Sequence, residues 1–406
     1  MKKDVLLIAH FCSDFDGKGN NRFSYIADLL SQNECDIELV TTDFSHSKKA
    51  RKNVIGNLFS YRVTMLHEPG YLKNVSLKRL YSHYIMGRNL KKYLEARKKP
   101  DVIYCAVPSL DVAKVAAGYA KKNNIRFIID VQDLWPEAFK LVFNIPLLGD
   151  LFFLPMNIVA DMIYRSADYV IAVSDTYLKR VMISNRELDN GSVIYLGTEL
   201  KKVDKISKKM TRLTKHDDEI WMAYIGTLGS GYDLTLVFDA LDSIEKNLIK
   251  NLKFIVMGDG PYYRKFFDHA KEKRLNVVFT GKLQYEEMIS VLKNCDIAVN
   301  PIKAGSAASI INKVCDYSAV GLPVLNTQEC FEYRTLVDTY GIGYNCKNGN
   351  VDDFKEKLTN LITHKELRIE MGKNSRRLAE DKFDREISYN VIIEKVLEIK
   401  NKKTKG

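Results

Sequence analysis

The sequence lacks any continuous apolar run of the roughly 18 to 20 residues that a bilayer-spanning helix needs. The nearest approach, residues 141–164 (LVFNIPLLGDLFFLPMNIVADMIY), is broken by Asn144, Pro146, Gly149, Asp150 and Pro155. It fits either a buried connection and helix or an apolar patch resting on a membrane surface through Phe152, Phe153, Leu154 and Met156. The amino terminus, MKKDVLLIAH, opens like a signal peptide, but its apolar run stops after about six residues, so it reads as a first strand. Also missing is any CxxC pair. The seven cysteines (Cys12, Cys35, Cys105, Cys295, Cys315, Cys330, Cys346) are scattered and odd in number. That pattern speaks against a disulfide framework and for a reducing, cytoplasmic compartment, with the thiols acting as small apolar side chains. No GxGxxG is present to hold a dinucleotide, and no RNA- or DNA-binding module signature gathers the positive charge, so nucleic acid is not expected as a partner.

The chain does carry 62 Lys and Arg against 51 Asp and Glu, a net charge of +11 that favours anionic partners such as nucleotides or phospholipids. Its 406 residues exceed one ordinary hydrophobic core. Short apolar runs alternate with amphipathic stretches nearly throughout, which predicts parallel sheets covered on both faces by helices. In the first half the predicted strands are 5–10, 37–42, 102–107, 126–131, 169–174 and 192–197, with helices near 21–32, 77–98, 111–123 and 154–166. A lysine-rich stretch interrupts the pattern and reads as a linker over 201–218. Strands then resume at 221–226, 252–258, 276–281, 296–301 and 323–327, with helices near 234–249, 261–273, 285–293, 310–320 and 352–380. The expected domains are therefore 1–200, 219–380 and a last helix in 381–406 packing back on the first domain. Ligands of such sheets bind at the carboxyl ends of the strands, which predicts an interdomain site.

The stretch AGSAASIINKVCDYSAVGLPVLN (304–326) carries the clearest chemistry. A run of small residues including Ser306, Ala307, Ala308 and Ser309 leads into a helix predicted to start near Ser309 or Ile310. Free backbone N–H groups and the positive helix end make such a start an anion site. Ser309, Lys313 and Asp316 share a face at this spacing, with Lys313 in reach of a phosphate and Asp316 one turn deeper, suited to ribose hydroxyls. A Lys–Asp surface pair is the plain alternative. The loops IGTLGSGYDL, with Gly226, Gly229 and Gly231, and GDGP, with Gly258 and Gly260, follow two more strands of the same sheet. Together the three loops suggest a nucleotide pocket.

In the first half Gly17 and Gly19 follow the first strand and allow close backbone approach to a ligand. Asp14 and Asp16 form an isolated DxD, too common a pattern to predict a metal. VQDLWPEAF (131–139) puts Asp133 and Glu137 at a strand end and Trp135 on a turn stiffened by Pro136, as a platform for a sugar; Glu137 equally suits a helix start as a favourable charge. Arg79 and Lys78 lie in the aromatic and basic stretch 67–84, an amphipathic helix or a contact for a lipid-linked diphosphate.

In order, the glycine loop, DLWPE, ADYVIAVS, YLGTEL, AYIGTLG, GDGP, NVVFTG, CDIAVNP and NKVCDYSAVGLPVL resemble the retaining glycosyltransferases of family 4, above all those of capsular and O-antigen polysaccharide synthesis. The resemblance implies a GT-B fold of two Rossmann-like, doubly wound domains facing across a cleft. It also implies a nucleotide-sugar donor, UDP-linked by expectation, no metal or other cofactor, and a saccharide acceptor, polyprenyl-diphosphate-linked, met in the cytoplasm or peripherally on the inner membrane face. Lys313, Asp133 and Glu137 become the catalytic candidates. Gly17, Gly19, Gly226, Thr227, Gly229, Gly258, Gly260, Ser306, Ala307, Ala308, Ser309, Lys313 and Asp316 become the donor-binding ones, and Trp135 and Arg79 fall to the acceptor. The family's two glutamates eight positions apart correspond here to Ala308 and Asp316, its basic residue after the IG glycine to Thr227, and its histidine before Asp133 to Gln132. A nucleotide-sugar 2-epimerase and an inactive nucleotide-sugar-binding protein share the same architecture and stand as alternatives.

Overall fold

The computed structural model describes residues 2–12, 21–52, 59–74, 76–142, 149–185, 191–211, 213–306 and 309–398. The chain divides into two compact units, one of Met1–Ile194 with Tyr389–Gly406 and one of Tyr195–Ser388. Strands of the first are β1 (Lys3–Ile8), β2 (Cys35–Thr42), β3 (Phe44–Ser45), β4 (Ala50–Arg51), β5 (Arg62–Leu66), β6 (Val102–Val107), β7 (Arg126–Val131), β8 (Tyr169–Ala172) and β9 (Gly191–Val193). Its helices are α1 (Arg22–Ser31), α2 (Leu77–Ala96), α3 (Leu110–Asn123), α4 (Glu137–Val142), α5 (Gly149–Ser166) and α6 (Asp175–Ser184). The second unit holds β10 (Ile220–Ile225), β11 (Leu252–Met257), β12 (Val277–Gly281), β13 (Ile297–Asn300), β14 (Val324–Asn326) and β15 (Gly343–Asn345). Around them lie α7 (Leu200–Lys205), α8 (Leu234–Ser243), α9 (Lys246–Ile249), α10 (Tyr263–Glu272), α11 (Tyr285–Leu292), α12 (Asn312–Ala319), α13 (Phe331–Tyr340), α14 (Val351–Thr363), α15 (Lys365–Leu378) and α16 (Arg385–Ser388). The last helix, α17 (Asn390–Leu397), returns to the first unit.

Both large sheets are parallel. The first runs β5-β2-β1-β6-β7-β8-β9 and the second β12-β11-β10-β13-β14-β15. Strands buried on both faces read as near-continuous apolar runs, which is why VIYCAV is so plain in the sequence; RFIIDV is buried as fully, with Arg126 and Asp130 as its two charged residues. In β10 the residues alternate between two cores: Trp221, Ala223 and Ile225 enter one, Met222 and Tyr224 the other. Each sheet reverses its winding once, between β1 and β6 and between β10 and β13. In open parallel sheets such a reversal, at the strand carboxyl ends, is where ligands bind.

Several elements differ from expectation. Residues 201–218, expected as a linker, belong to the second unit. Leu200, Val203 and Ile206, three apart, are buried in its core, while the lysines between them give the stretch its linker-like composition. The helix expected over 352–380 breaks at His364 into α14 and α15. The short edge strands β5 and β15 and the helices α6 and α13 add to the expected set. All seven cysteines are free and buried. In the first unit the buried Arg22 donates to Asp130 at 2.9 Å and to the Tyr389 hydroxyl at 2.7 Å, tying the returning segment into its core.

Candidate active site

In the second unit, the loops after β10 and β13 bracket the switch point of the sheet. Gly226 follows β10 with φ of +131°, a region that favours glycine, and a Cβ there would lie 2.9 Å from Lys313 Nζ. A Cβ on Gly258, after β11, would lie 1.8 Å from the Gly226 carbonyl oxygen, so the two glycine turns are in backbone contact. Gly260 abuts Leu228 in the same way, and the Leu228 N–H donates to the Asp259 carbonyl at 2.9 Å. The Thr227 carbonyl accepts from the Tyr224 hydroxyl at 2.8 Å. A Cβ on Gly229 would make only an ordinary contact, with the Thr227 methyl at 3.8 Å, and one on Gly231 would meet Ser306.

Lys313 lies in the first turn of α12, and it is buried. Its ammonium sits 4.0 Å from the centroid of the Tyr224 ring and 4.1 Å from that of Tyr232, and it has no hydrogen-bond partner among the described residues. Burial pushes its pKa well below the ordinary lysine value. An amine without a partner at a loop junction is expensive to keep unless a ligand completes it. The alternative reading of Lys313 and Asp316 as a surface pair is not met, since both are buried and they form no ion pair. Asp316 is buried and accepts from the Tyr285 hydroxyl at 3.0 Å, which also shares a hydrogen bond of 2.9 Å with Thr198. Desolvation raises its pKa to about 6, against the opposing effects of Tyr285 and Arg385.

The helix start corrects the expectation at Ser309. Ile311 is the N-cap and no side chain caps it, so α12 begins at Asn312 and Ser309 precedes it, off the helical face of Lys313 and Asp316. The Ser309 carbonyl instead accepts from the Gln328 amide at 2.6 Å. Gly17, Gly19, Asp14, Asp16, Ala307 and Ala308 lie outside the described residues.

The first unit has its own cluster, at the β1–β6 switch point. His10, just past β1, is buried, with Nε2 2.5 Å from Glu68 and Nδ1 2.6 Å from the Ser109 hydroxyl. Phe11 stacks on His10 at 4.6 Å. Trp135 is buried rather than an open platform: the Arg79 guanidinium lies 4.9 Å from its ring and His83 stacks on it at 5.8 Å. Asp133 accepts from Trp135 Nε1 at 3.1 Å and from the Tyr177 hydroxyl at 3.2 Å, and burial raises its pKa. Glu137 pairs with Arg180 at 2.5 Å. Trp135 and Arg79 therefore meet, while Asp133 and Glu137 already have partners. Sequence reasoning missed His10, Glu68, Ser109, Tyr224, Tyr232 and Tyr285. Their signal was their position at the ends or starts of strands, loops and helices around the two switch points. Among the described residues no three His, Cys, Asp or Glu side chains gather as a metal site.

Residues 205–378 match the family described as glycosyl transferases group 1. A curated relative, the uncharacterized glycosyltransferase MJ1069 of Methanocaldococcus jannaschii, is 25% identical over 231 residues, 56% of this chain and 57% of the relative. The match thus spans little more than half of that relative's length. Among solved structures, sucrose-phosphate synthase from Thermosynechococcus elongatus superposes with a TM-score of 0.72 at 15% identity, covering 97% of both chains. Anabaena Alr3699/HepE in complex with UDP and glucose gives 0.68 at 14% identity, covering 97% of this chain and 99% of the other. The chain therefore has the two-domain, Rossmann-like GT-B fold, and its residues 205–378 are similar to the glycosyl transferases group 1 family.

Proposed function

We propose that the protein transfers a sugar from a UDP-sugar to a saccharide acceptor. The second unit holds the donor and the first the acceptor. The observation that carries the reading is the buried Lys313 ammonium beside the Gly226 turn, without a hydrogen-bond partner among the described residues, a site completed by the leaving diphosphate. Asp316, ionised above about pH 6, accepts from the ribose hydroxyls. HepE, solved with UDP and glucose, supports the choice of donor. The acceptor oxygen forms its bond to the anomeric carbon as the carbon–phosphate-oxygen bond breaks, and the hydroxyl proton leaves to the departing phosphate. The family 4 resemblance supports retention of configuration and a product in capsular or O-antigen polysaccharide. No metal is required in this reading, since Lys313 and loop N–H groups carry the charge. Asp133 and Glu137 serve the acceptor side, where Asp133 sets the Trp135 ring. Leu151, Phe152, Leu154 and Ile158, exposed along α5, support peripheral contact with a membrane.

The test is incubation of UDP-sugars with and without saccharide acceptors, followed by mass spectrometry of the products. Acceptor-dependent release of UDP is expected. Isomerised UDP-sugar in the absence of acceptor would replace this reading with an epimerase.

A further inference from the structure

A second group of cations lies in the first unit, apart from the residues that hold the donor in the reading above. The turn between β3 and β4 brings His46 and Lys49 to one aromatic ring, and α2 brings Arg79 to the same ring. Lys49 Nζ lies 4.7 Å from the Tyr71 centroid and the Arg79 guanidinium 5.6 Å. His46 Nδ1 is 2.5 Å from the Tyr71 hydroxyl. Lys49 adopts φ of +55°, an uncommon conformation for a side-chain-bearing residue, as the turn closes through its N–H on the Ser45 carbonyl at 2.8 Å.

The partners of these cations are neutral. Lys49 Nζ donates to the Asn74 side-chain oxygen at 2.5 Å, and Arg79 Nη1 to the Asn74 backbone carbonyl at 2.7 Å. The nearby carboxylates are engaged elsewhere: Glu68 by His10, Asp133 by Trp135 and Tyr177, and Asp43 by Arg51 and His67. Glu68 and Asp133 act on Arg79 only through space. Neither Lys49 nor Arg79 has an ion pair among the described residues. Burial and then the charges of Lys49 and Arg79 lower the His46 pKa to about 4, against an opposing pull from Glu68. Burial and then Arg79 lower Lys49 as well. Converging cations held by neutral oxygens on a rigid aromatic floor form a receptor for a multiply charged anion.

We propose that His46, Lys49 and Arg79, arranged around Tyr71, form a phosphate site that takes the phosphate or diphosphate group of an anionic acceptor. The acceptor role rests on the glycosyltransferase reading; the anion site itself does not. A neutral saccharide would leave these charges unmet. A phosphate or diphosphate can accept from the guanidinium and the ammonium together, and its charge draws a proton onto His46.

The experiment is isothermal titration of the full chain, first saturated with UDP so that the Lys313 site is filled, with inorganic pyrophosphate as the probe. Binding is expected in the presence of UDP. The double variant Lys49→Gln/Arg79→Gln should weaken it at least tenfold with no change in UDP affinity or melting temperature. Lys49→Gln alone, a change on a partly exposed turn, should weaken it at least threefold, which keeps the test valid if the double variant does not fold. Pyrophosphate that fails to bind once UDP is present, or that binds the folded variants as well as the wild type, overturns the proposal. Farnesyl diphosphate then separates the sources: tighter binding than pyrophosphate indicates a lipid-linked acceptor, and equal binding a soluble phosphorylated one. Should UDP itself not bind, the glycosyltransferase reading falls, while sensitivity of pyrophosphate binding to Lys49 and Arg79 still decides the anion site.

Discussion

Lys313→Met removes the ammonium while keeping an unbranched apolar chain between Tyr224 and Tyr232. Two cation–π contacts at 4.0 and 4.1 Å are worth about 1 to 4 kcal/mol together when the amine is charged. Taking an uncompensated ammonium out of water costs several kcal/mol, so desolvation wins in the free protein, as the lowered pKa of Lys313 indicates. The variant should therefore be at least as stable as the wild type at neutral pH by chemical denaturation. Its UDP binding should lose a charge-assisted contact of about 1.5 to 3 kcal/mol, roughly 10- to 150-fold in Kd by titration calorimetry. Transfer should fall about 10²- to 10³-fold. The sign with pH follows: the unfolded lysine binds a proton that the folded one resists, so wild-type stability gains on raising pH up to the unfolded value near 10.4, and Lys313→Met lacks that gain. A variant that loses stability yet binds UDP like the wild type would refute the reasoning and make Lys313 a structural pillar between two tyrosines.

Gly258→Ala places a methyl where the Gly226 carbonyl oxygen stands, 1.8 Å away, so thermal unfolding should show a loss of about 4 kcal/mol or more; a normal melt would contradict the backbone contact. Asp316, with a folded pKa of about 6, holds its proton longer than in the unfolded chain, so its contribution to stability is present at low pH and fades as pH rises from about 4 to 6. UDP affinity should rise over that same window, and Asp316→Asn should bind weakly without the dependence. Arg22→Met leaves Asp130 buried beside Tyr104 without its cation and should cost about 3 to 5 kcal/mol in denaturant unfolding.

The central strands were legible because both faces of VLLI, VIYCAV and WMAYI are buried, leaving no polar residue to blur the run. The edges were not: β5 is only partly buried and β15 has three residues, too little pattern to register. The α12 start was misplaced because nothing marks it, Ile311 being a cap without a side-chain acceptor. Lys313 was visible as a basic residue near a helix start. Its real environment depends on Tyr224 and Tyr232, about 90 and 80 positions earlier, which only the packing of the second unit brings to it. Trp135 was read as an open surface because sequence gives no account of Arg79 and His83 closing on its ring.

The return of the chain to its first unit has a practical consequence for dissecting the protein. A fragment ending at Ile194 would lose Tyr389, Ile392 and Val396, leaving a furrow along an apolar core and Arg22 without its phenol partner. A soluble piece would have to be built by joining the two distant ends, residue 194 to residue 389, through a short splice. The intervening Tyr195–Ser388 stretch, being continuous, can be excised whole.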